Sequence, residues 1–591
     1  MSARYWWACV LQNTKLQMTS IVAGLSAQQI SALSVSTVSG FTSTDIGEMT
    51  ADQVAGLTAQ QMNSLSSPAL QAMSARQVSS ISYNTFIQLA ASQTANFTSS
   101  QIGALAPDQI KLMTASQING LGTSDLQALN VAYLGKQQIA GLSAGAIGNL
   151  TDAQIGYVIS SQGGALSISQ VQGLTTSQLN NLTKDNLQRL NVNALTAQQV
   201  GSLSASTVSN LAASQVAGLS QAQAGLLSTT QVNSLSQASV KALNVAALNG
   251  TTVSGLTAST LVSLSTAQTR SLLATHADKL SVDQISSLSS TQVSTTSVVG
   301  ATNGLRFDLN WDSSVSAAPA GFRNAAIAAA ADLSSNLSTN TTVSLHVGYG
   351  EVNGSTVSPG AAAQSVSSVI GTTYSALRGA LQANSGNSTT QSTAAASLGG
   401  SDPTSGGSFV VSTAQAKALG LGGGSANPDG YIGLSSALSF EFNQTAAPGK
   451  FDAIGALQHE MTEVMGRTGS VGAGFGAGVY TALDMFRYTS TDNVNPQNGT
   501  PIRALSQQSG DVAYFSIDGG ATNLGGFNAS DGSLDYADWN ATMGADPFGF
   551  SYAGVTEKMS TNDIAVMAAI GWNMTSKGVT AAQAAKAYAL V

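Results

Sequence analysis

The residues best placed to do chemistry lie in one stretch, Phe451-Asp452-Ala453-Ile454-Gly455-Ala456-Leu457-Gln458-His459-Glu460-Met461-Thr462-Glu463-Val464-Met465-Gly466-Arg467. Set on an α-helix at about 100° per residue, Ile454, Leu457, Met461, Val464 and Met465 share an arc of roughly 100°, a stripe that belongs against a core. His459 and Glu463, at i and i+4, project together from the opposite side with Glu460 beside them. Gly466 stands where the helix can end. Imidazole nitrogen and carboxylate oxygen are both ordinary ligands of Zn2+, at about 2.0–2.2 Å. The spacing therefore predicts two metal ligands one helical turn apart. The alternative is a buried polar cluster that holds no metal.

The run resembles the zincin motif H-E-x-x-H, in which two ligands one turn apart grip Zn2+ and the intervening glutamate is a general base. Here Glu463 stands in the second histidine's place, which is permissible but adds negative charge and makes the metal a weaker Lewis acid. The longer pattern H-E-x-x-H-x-x-G-x-x-H is met at its glycine by Gly466, whereas its third histidine falls on Gly469. Over about residues 303–573 the chain is similar to a family of predicted bacterial secreted metalloproteases, in which H-E-x-[ST]-E-V-M-G-R is itself characteristic. Further matching runs are Ala416-Lys417-Ala418-Leu419-Gly420-Leu421, Leu483-Asp484-Met485-Phe486-Arg487-Tyr488, Tyr514-Phe515-Ser516-Ile517-Asp518-Gly519-Gly520 and Asp535-Tyr536-Ala537-Asp538-Trp539. The ending Asp563 to Ile570-Gly571-Trp572 is similar to the last helix of matrixin-like zincins. The resemblance implies an α+β zincin-like catalytic domain, Zn2+ on His459 and Glu463, Glu460 as base, and peptide-bond hydrolysis.

A third ligand has to come from elsewhere. The chain has three histidines. His276 lies in a repetitive region, and His346, flanked by Leu345 and Val347, reads as a hydrogen-bonded strand histidine. Asp484, 25 residues beyond His459, is the preferred third ligand, against an ion pair with Arg487 or a turn-capping role. Asp535 and Asp538 are further acidic candidates, read as structural and as a place for Ca2+. Met559 is a candidate methionine turn beneath a metal, against a plain core methionine. Gly420-Leu421-Gly422-Gly423-Gly424-Ser425 lacks the Gly-Lys-Ser/Thr ending of a phosphate loop and reads as a flexible loop.

The elements that must hold the motif helix begin after Ser297. Leu305, Phe307, Leu309 and Trp311 alternate with polar residues and predict a half-buried strand, as do Val343, Leu345, Val347 and Tyr349. Between them Phe322, Ala326, Ala329 and Leu333 recur at helical spacing. Strand, helix, strand predicts a sheet with a helix on one face. Tyr431–Leu434 and Ser439–Phe442 read as strands. Ser560 caps a helix that runs to Trp572, with Ile564, Met567 and Ile570 inward.

Upstream, large apolar anchors recur every eight residues from Leu25: Leu33, Phe41, Met49, Leu57 and onward to Leu129. A second apolar residue stands three before most anchors, as at Ile30, Val54 and Ile102. Leu129-Asn130-Val131-Ala132-Tyr133-Leu134, Leu190-Asn191-Val192-Asn193-Ala194-Leu195 and Leu243-Asn244-Val245-Ala246-Ala247-Leu248 each insert a five-residue step, read as corners. A continuous helix would drift about 80° per octad and form no stripe. Ser26…Gln29, Thr50…Gln53, Thr58…Gln61 and Thr98…Gln101 resemble capping boxes, so each octad reads as one capped helical turn and the array as a stacked solenoid. A spacer or scaffold role is expected, with a cell-surface, matrix or glycan contact as the alternative.

Composition sets the outer limits. Of 591 residues only 8% are charged while 43% are apolar, which excludes a polyelectrolyte-type disordered chain. A net charge of −8 without a basic stripe excludes phosphate-driven nucleic-acid binding. One cysteine, Cys9, excludes an intrachain disulfide framework. Tyr5–Leu11 is apolar but far short of the ~20 residues that span a bilayer. An acidic, Lys-poor, Ser/Thr/Gly-rich chain is expected outside a bacterial cell. The expected organisation is an N-terminal segment over 1–24, the octad solenoid over 25–297, a zincin-like metallopeptidase domain over 300–575 and a tail over 576–591. The expected activity is a secreted zinc endopeptidase acting on proteins or peptides, against a non-catalytic scaffold with a degenerate domain.

Overall fold

The computed structural model describes residues 20–162, 166–422, 428–469, 475–489, 499–505, 512–528, 535–540, 544–549 and 553–588. Tyr5–Leu11 with Cys9, and Gly423–Ser425 of the glycine-rich stretch, lie outside them. The chain forms two compact units that divide between Leu243 and Asn244.

In the first unit the octads fold as short helices such as Ala27–Ser31, Ala51–Ala55 and Ala59–Ser64. The capping boxes expected at Ser26, Thr50, Thr58 and Thr98 all form. Each helix stacks on the one three octads later, so a coil holds 24 residues and three sides. Glutamine joins the coils. While its Oε1 accepts the cap amide, Gln53 Nε2 donates to the carbonyls of Val22 (2.9 Å) and Leu25 (2.7 Å) in the coil below. Gln101 does the same to Leu70 and Met73, at 2.8 Å each. Inside, Val54, Met62, Val78, Ile102 and Ile118 are fully buried. Close stacking also explains Gly56, where a Cβ would overlap the Ala27 carbonyl.

The five-residue steps are short 3-10 turns, Val131–Tyr133 and Val192–Ala194, in place of an α-turn. They shorten the coil without breaking the ladder: Gln138 reaches the carbonyls of Ile110 (2.8 Å) and Met113 (2.7 Å), each three residues nearer in sequence than usual. The step is thus a shorter side of the same coil, and the corner reading gives way to that.

The second unit begins with the last repeats, in which Gln292 donates to Leu261 and Leu264. The octads end near residue 295 as expected. The packing boundary, however, lies some fifty residues earlier, because these last coils pack on the sheet and its helix. Trp311 Nε1 donates to Thr296 O at 2.7 Å, and Asn324 Nδ2 donates to the carbonyls of Ile285 (3.1 Å) and Leu288 (2.7 Å). Asn324, on the helix Phe322–Asn336, therefore forms the next rung of the ladder.

The main sheet runs in the order Val298–Gly300, Arg306–Trp311, Thr342–Tyr349, Gly430–Leu434, Ala363–Ser367. The middle three strands are parallel and both outer ones antiparallel. Phe322–Asn336 crosses between two parallel strands, as the pattern predicts, and its six alanines are all buried, so it packs closely. Of the tail expected over 576–591, Ser576–Tyr588 is a helix that packs on Thr561–Ala569 and on Phe322–Asn336. Among the described residues no helix is long and apolar enough to cross a membrane.

Candidate metal centre

The motif forms the helix Ala453–Val464. Asp452 caps it, accepting from the amides of Ile454 (2.9 Å) and Gly455 (3.3 Å). Ile454, Leu457, Met461, Val464 and Met465 are fully buried, as the helical stripe requires. The helix rests on Phe322–Asn336 and on the strands Gly430–Leu434 and Ala363–Ser367. It ends at Gly466, whose φ of 99° only glycine adopts without strain. Trp572 Nε1, donating to Met465 O at 2.9 Å, fastens that end.

The free side of the helix opens into a cleft of about 480 Å³. His459 Nε2 and Glu463 Oε1 stand 3.3 Å apart there, and Asp538 Oδ1 comes within 3.7 Å of the same nitrogen. Ligand atoms of His459, Glu460 and Glu463 all fall within 4.8 Å of one another. Metal bonds of about 2.1 Å in tetrahedral arrangement put ligand atoms about 3.4 Å apart, close to the 3.3 Å between His459 Nε2 and Glu463 Oε1, and imidazole and carboxylate are donors that Zn2+ takes.

Each donor is held from behind. His459 Nδ1 lies 2.9 Å from Pro547 O, and because a carbonyl only accepts, Nδ1 carries the proton and Nε2 is left to face the carboxylates. Ser365 Oγ, on the edge strand, donates to Glu463 Oε2 at 2.5 Å. Asp538 precedes Trp539, whose indole donates to Asp563 Oδ1 at 2.8 Å. That same oxygen pairs with Arg467 Nη2 at 2.9 Å, and both partners are fully buried.

Crowded carboxylates shift one another. Burial, with the charge of Glu463 added, pushes Glu460 well above the ordinary carboxyl range. Burial also pushes Asp538 up to about 8 and Asp535 to about 6. Burial alone would lower His459, but Asp538 and Glu463 outweigh it and raise the imidazole well above its usual value. Glu463 is held low despite burial by the hydrogen bond and charge of His459.

The structure thus brings together His459, Glu460 and Glu463 as the helical spacing predicts. Asp484 does not join them. It is fully buried and accepts from the Thr481 amide (2.7 Å) and hydroxyl (2.9 Å), the turn-capping role, and it lies outside the cleft lining. The third carboxylate is Asp538, with Asp535 also in the cleft wall. A Cβ built on Gly469 would lie 3.6 Å from that of Ala537, so the segment carrying Asp538 passes beside the position of the missing third histidine. Met559 lines a different cleft, with Asp332 and Lys577. His346 is exposed on the sheet against Tyr431, and His276 reaches Ala246 O in the repeats. Sequence reading missed Ser365, Pro547 and Phe548; the only local signal was an aromatic and a proline inside an otherwise Gly/Ala/Asp-rich loop. Compared with protein-family models, curated proteins and solved structures, the chain matches none.

Proposed function

We propose that residues from about 300 onward form a zincin-like peptidase domain of a secreted bacterial protein, with His459, Glu463 and Asp538 as the ligands of one Zn2+. The observation that carries the reading is the convergence of an imidazole nitrogen and two carboxylates at 3.3 and 3.7 Å in an open cleft. A Zn2+ ion held there would supply Lewis-acid polarisation of a substrate carbonyl. Glu460, one residue after the histidine in the same cleft, would take a proton from the attacking water and return it to the leaving amine. Burial and the charge of Glu463 raise its proton affinity above that of an ordinary carboxylate, the direction that strengthens a general base. Ser365 keeps Glu463 turned toward His459. The strand Ala363–Ser367 ends the sheet and borders the cleft, so its free backbone edge suits an extended peptide. The repeats supply a spacer, and their Ser-, Thr- and Gln-rich faces suit contact with a surface or matrix.

The test is zinc content of the purified full chain, together with hydrolysis of an unfolded protein by wild type and Glu460→Gln. One zinc per chain, and activity reduced about 100- to 10,000-fold by the substitution, are expected. A chain that binds no zinc and cleaves nothing would leave the scaffold reading in possession.

A further inference from the structure

Behind the candidate ligands lies a stack of three planar groups. The His459 imidazole and the Phe548 ring are stacked, with centroids 4.5 Å apart and planes 18° from parallel. The Arg467 guanidinium carbon sits 3.1 Å over the same phenyl ring and 5.1 Å from the Trp539 ring. At those distances the imidazole and the guanidinium must occupy opposite faces of Phe548. The phenyl ring is therefore a spacer between a ligand and a fixed charge.

Nothing in this arrangement is free to drift. Arg467 follows the helix-ending Gly466 and is locked by Asp563. Phe548 is fully buried; its amide donates to Asp546 Oδ1 at 2.8 Å and its carbonyl accepts from Trp539 N at 2.7 Å. The neighbouring Pro547 carbonyl takes the Nδ1 proton of His459. One tripeptide, Asp546-Pro547-Phe548, thus fixes the tilt and tautomer of His459 and is bonded to the residue after Asp538. Groups behind a ligand that set its orientation commonly govern metal affinity.

We propose that Phe548 is a positioning residue of the metal centre: sandwiched between Arg467 and His459, it sets the imidazole plane so that Nε2 faces Glu463 and Asp538. The inference rests on the zinc reading above and adds a residue that neither the motif nor the ligand set contains. Arg467 is the anchor of the stack, and the cost of removing one partner of a buried ion pair makes it a poor probe.

Phe548→Leu keeps the volume apolar and removes the flat face. Phe307→Leu, in the buried sheet of the same unit, is the control for lost packing. Zn2+ affinity of the full chain is measured by competition with a chromophoric chelator, with melting followed in parallel. Phe548→Leu is expected to weaken binding about 10- to 100-fold, and Phe307→Leu to leave it at the wild-type value. Equal affinity in Phe548→Leu and wild type overturns the proposal while the zinc reading stands. No binding by wild type overturns both. Should Phe548→Leu not fold, histidine-selective labelling of wild type decides, since only three histidines contribute. His459 ring protons shifted upfield by the phenyl ring support the stack, and unshifted signals overturn it.

Discussion

Before any metal binds, burial pushes Asp538 up to about 8 and its carboxylate neighbours raise His459, so each holds its proton more tightly than the free side chain does. A metal can take Nε2 and Oδ1 only when those protons leave. Zinc affinity should therefore climb as pH rises from 6 toward about 8 and fall on acidification, by about tenfold per pH unit for each proton displaced. Asp538→Asn should cost about 10- to 100-fold in affinity and flatten the upper part of that rise, whereas an unchanged profile would remove Asp538 from the ligand set. At this scale the sequence was legible where the helix itself set the geometry. One turn brings His459 to Glu463 whatever the rest of the fold does. Asp538 had no such guide: it reaches the site from an irregular segment, across a span with no period to count. Asp484 looked better because it was nearer in sequence, but its carboxylate accepts from the amide and hydroxyl of Thr481, three residues earlier.

The octad is one helical turn whose glutamine serves two coils. Its inward half, the capping box, was readable because both bonds close within three residues. Its outward half was not, because the accepting carbonyls lie 28 and 31 residues back, and finding them requires knowing that three octads make a coil. The same count explains the Asn-Val steps as short sides, invisible in any local window. Replacing Gln101 with Leu removes the partner of the Met73 carbonyl and of the Thr98 amide, and leaves the Leu70 carbonyl only its backbone donors, in a buried layer. Each such group costs about 1–3 kcal/mol, so a loss of about 2–4 kcal/mol in denaturant unfolding is expected. Gln29→Leu, in the exposed first turn, should cost about 1 kcal/mol or less, the value of its capping box alone. Equal costs at the two positions would mean that the coil-to-coil bonds contribute nothing beyond the caps.

For the chain as a whole, the octad pattern stops near residue 297, yet the two compact units divide between Leu243 and Asn244. A helical array exposes a full set of unpaired carbonyls and an apolar column at its last coil, and something must cover both. Here the cover is the helix Phe322–Asn336, with Asn324 forming the rung one coil beyond that of Gln292. That helix also carries the motif helix on its flank, so the covering element and the support of the metal centre are one object. A sequence window sees only that octads stop; it cannot see that the next domain imitates them. A fragment of residues 244–591 should therefore unfold cooperatively and bind zinc like the full chain. A fragment of 300–591, cut where the pattern changes, leaves Asn324 without acceptors and strips the apolar face beside it, and should precipitate or melt at least 10 °C lower, given that about 1 kcal/mol shifts a domain of this size by roughly 2–4 °C. Matching melting curves and zinc affinities for the two fragments would show instead that the last coils are only a spacer, and that the sheet domain needs nothing from the array to hold its site.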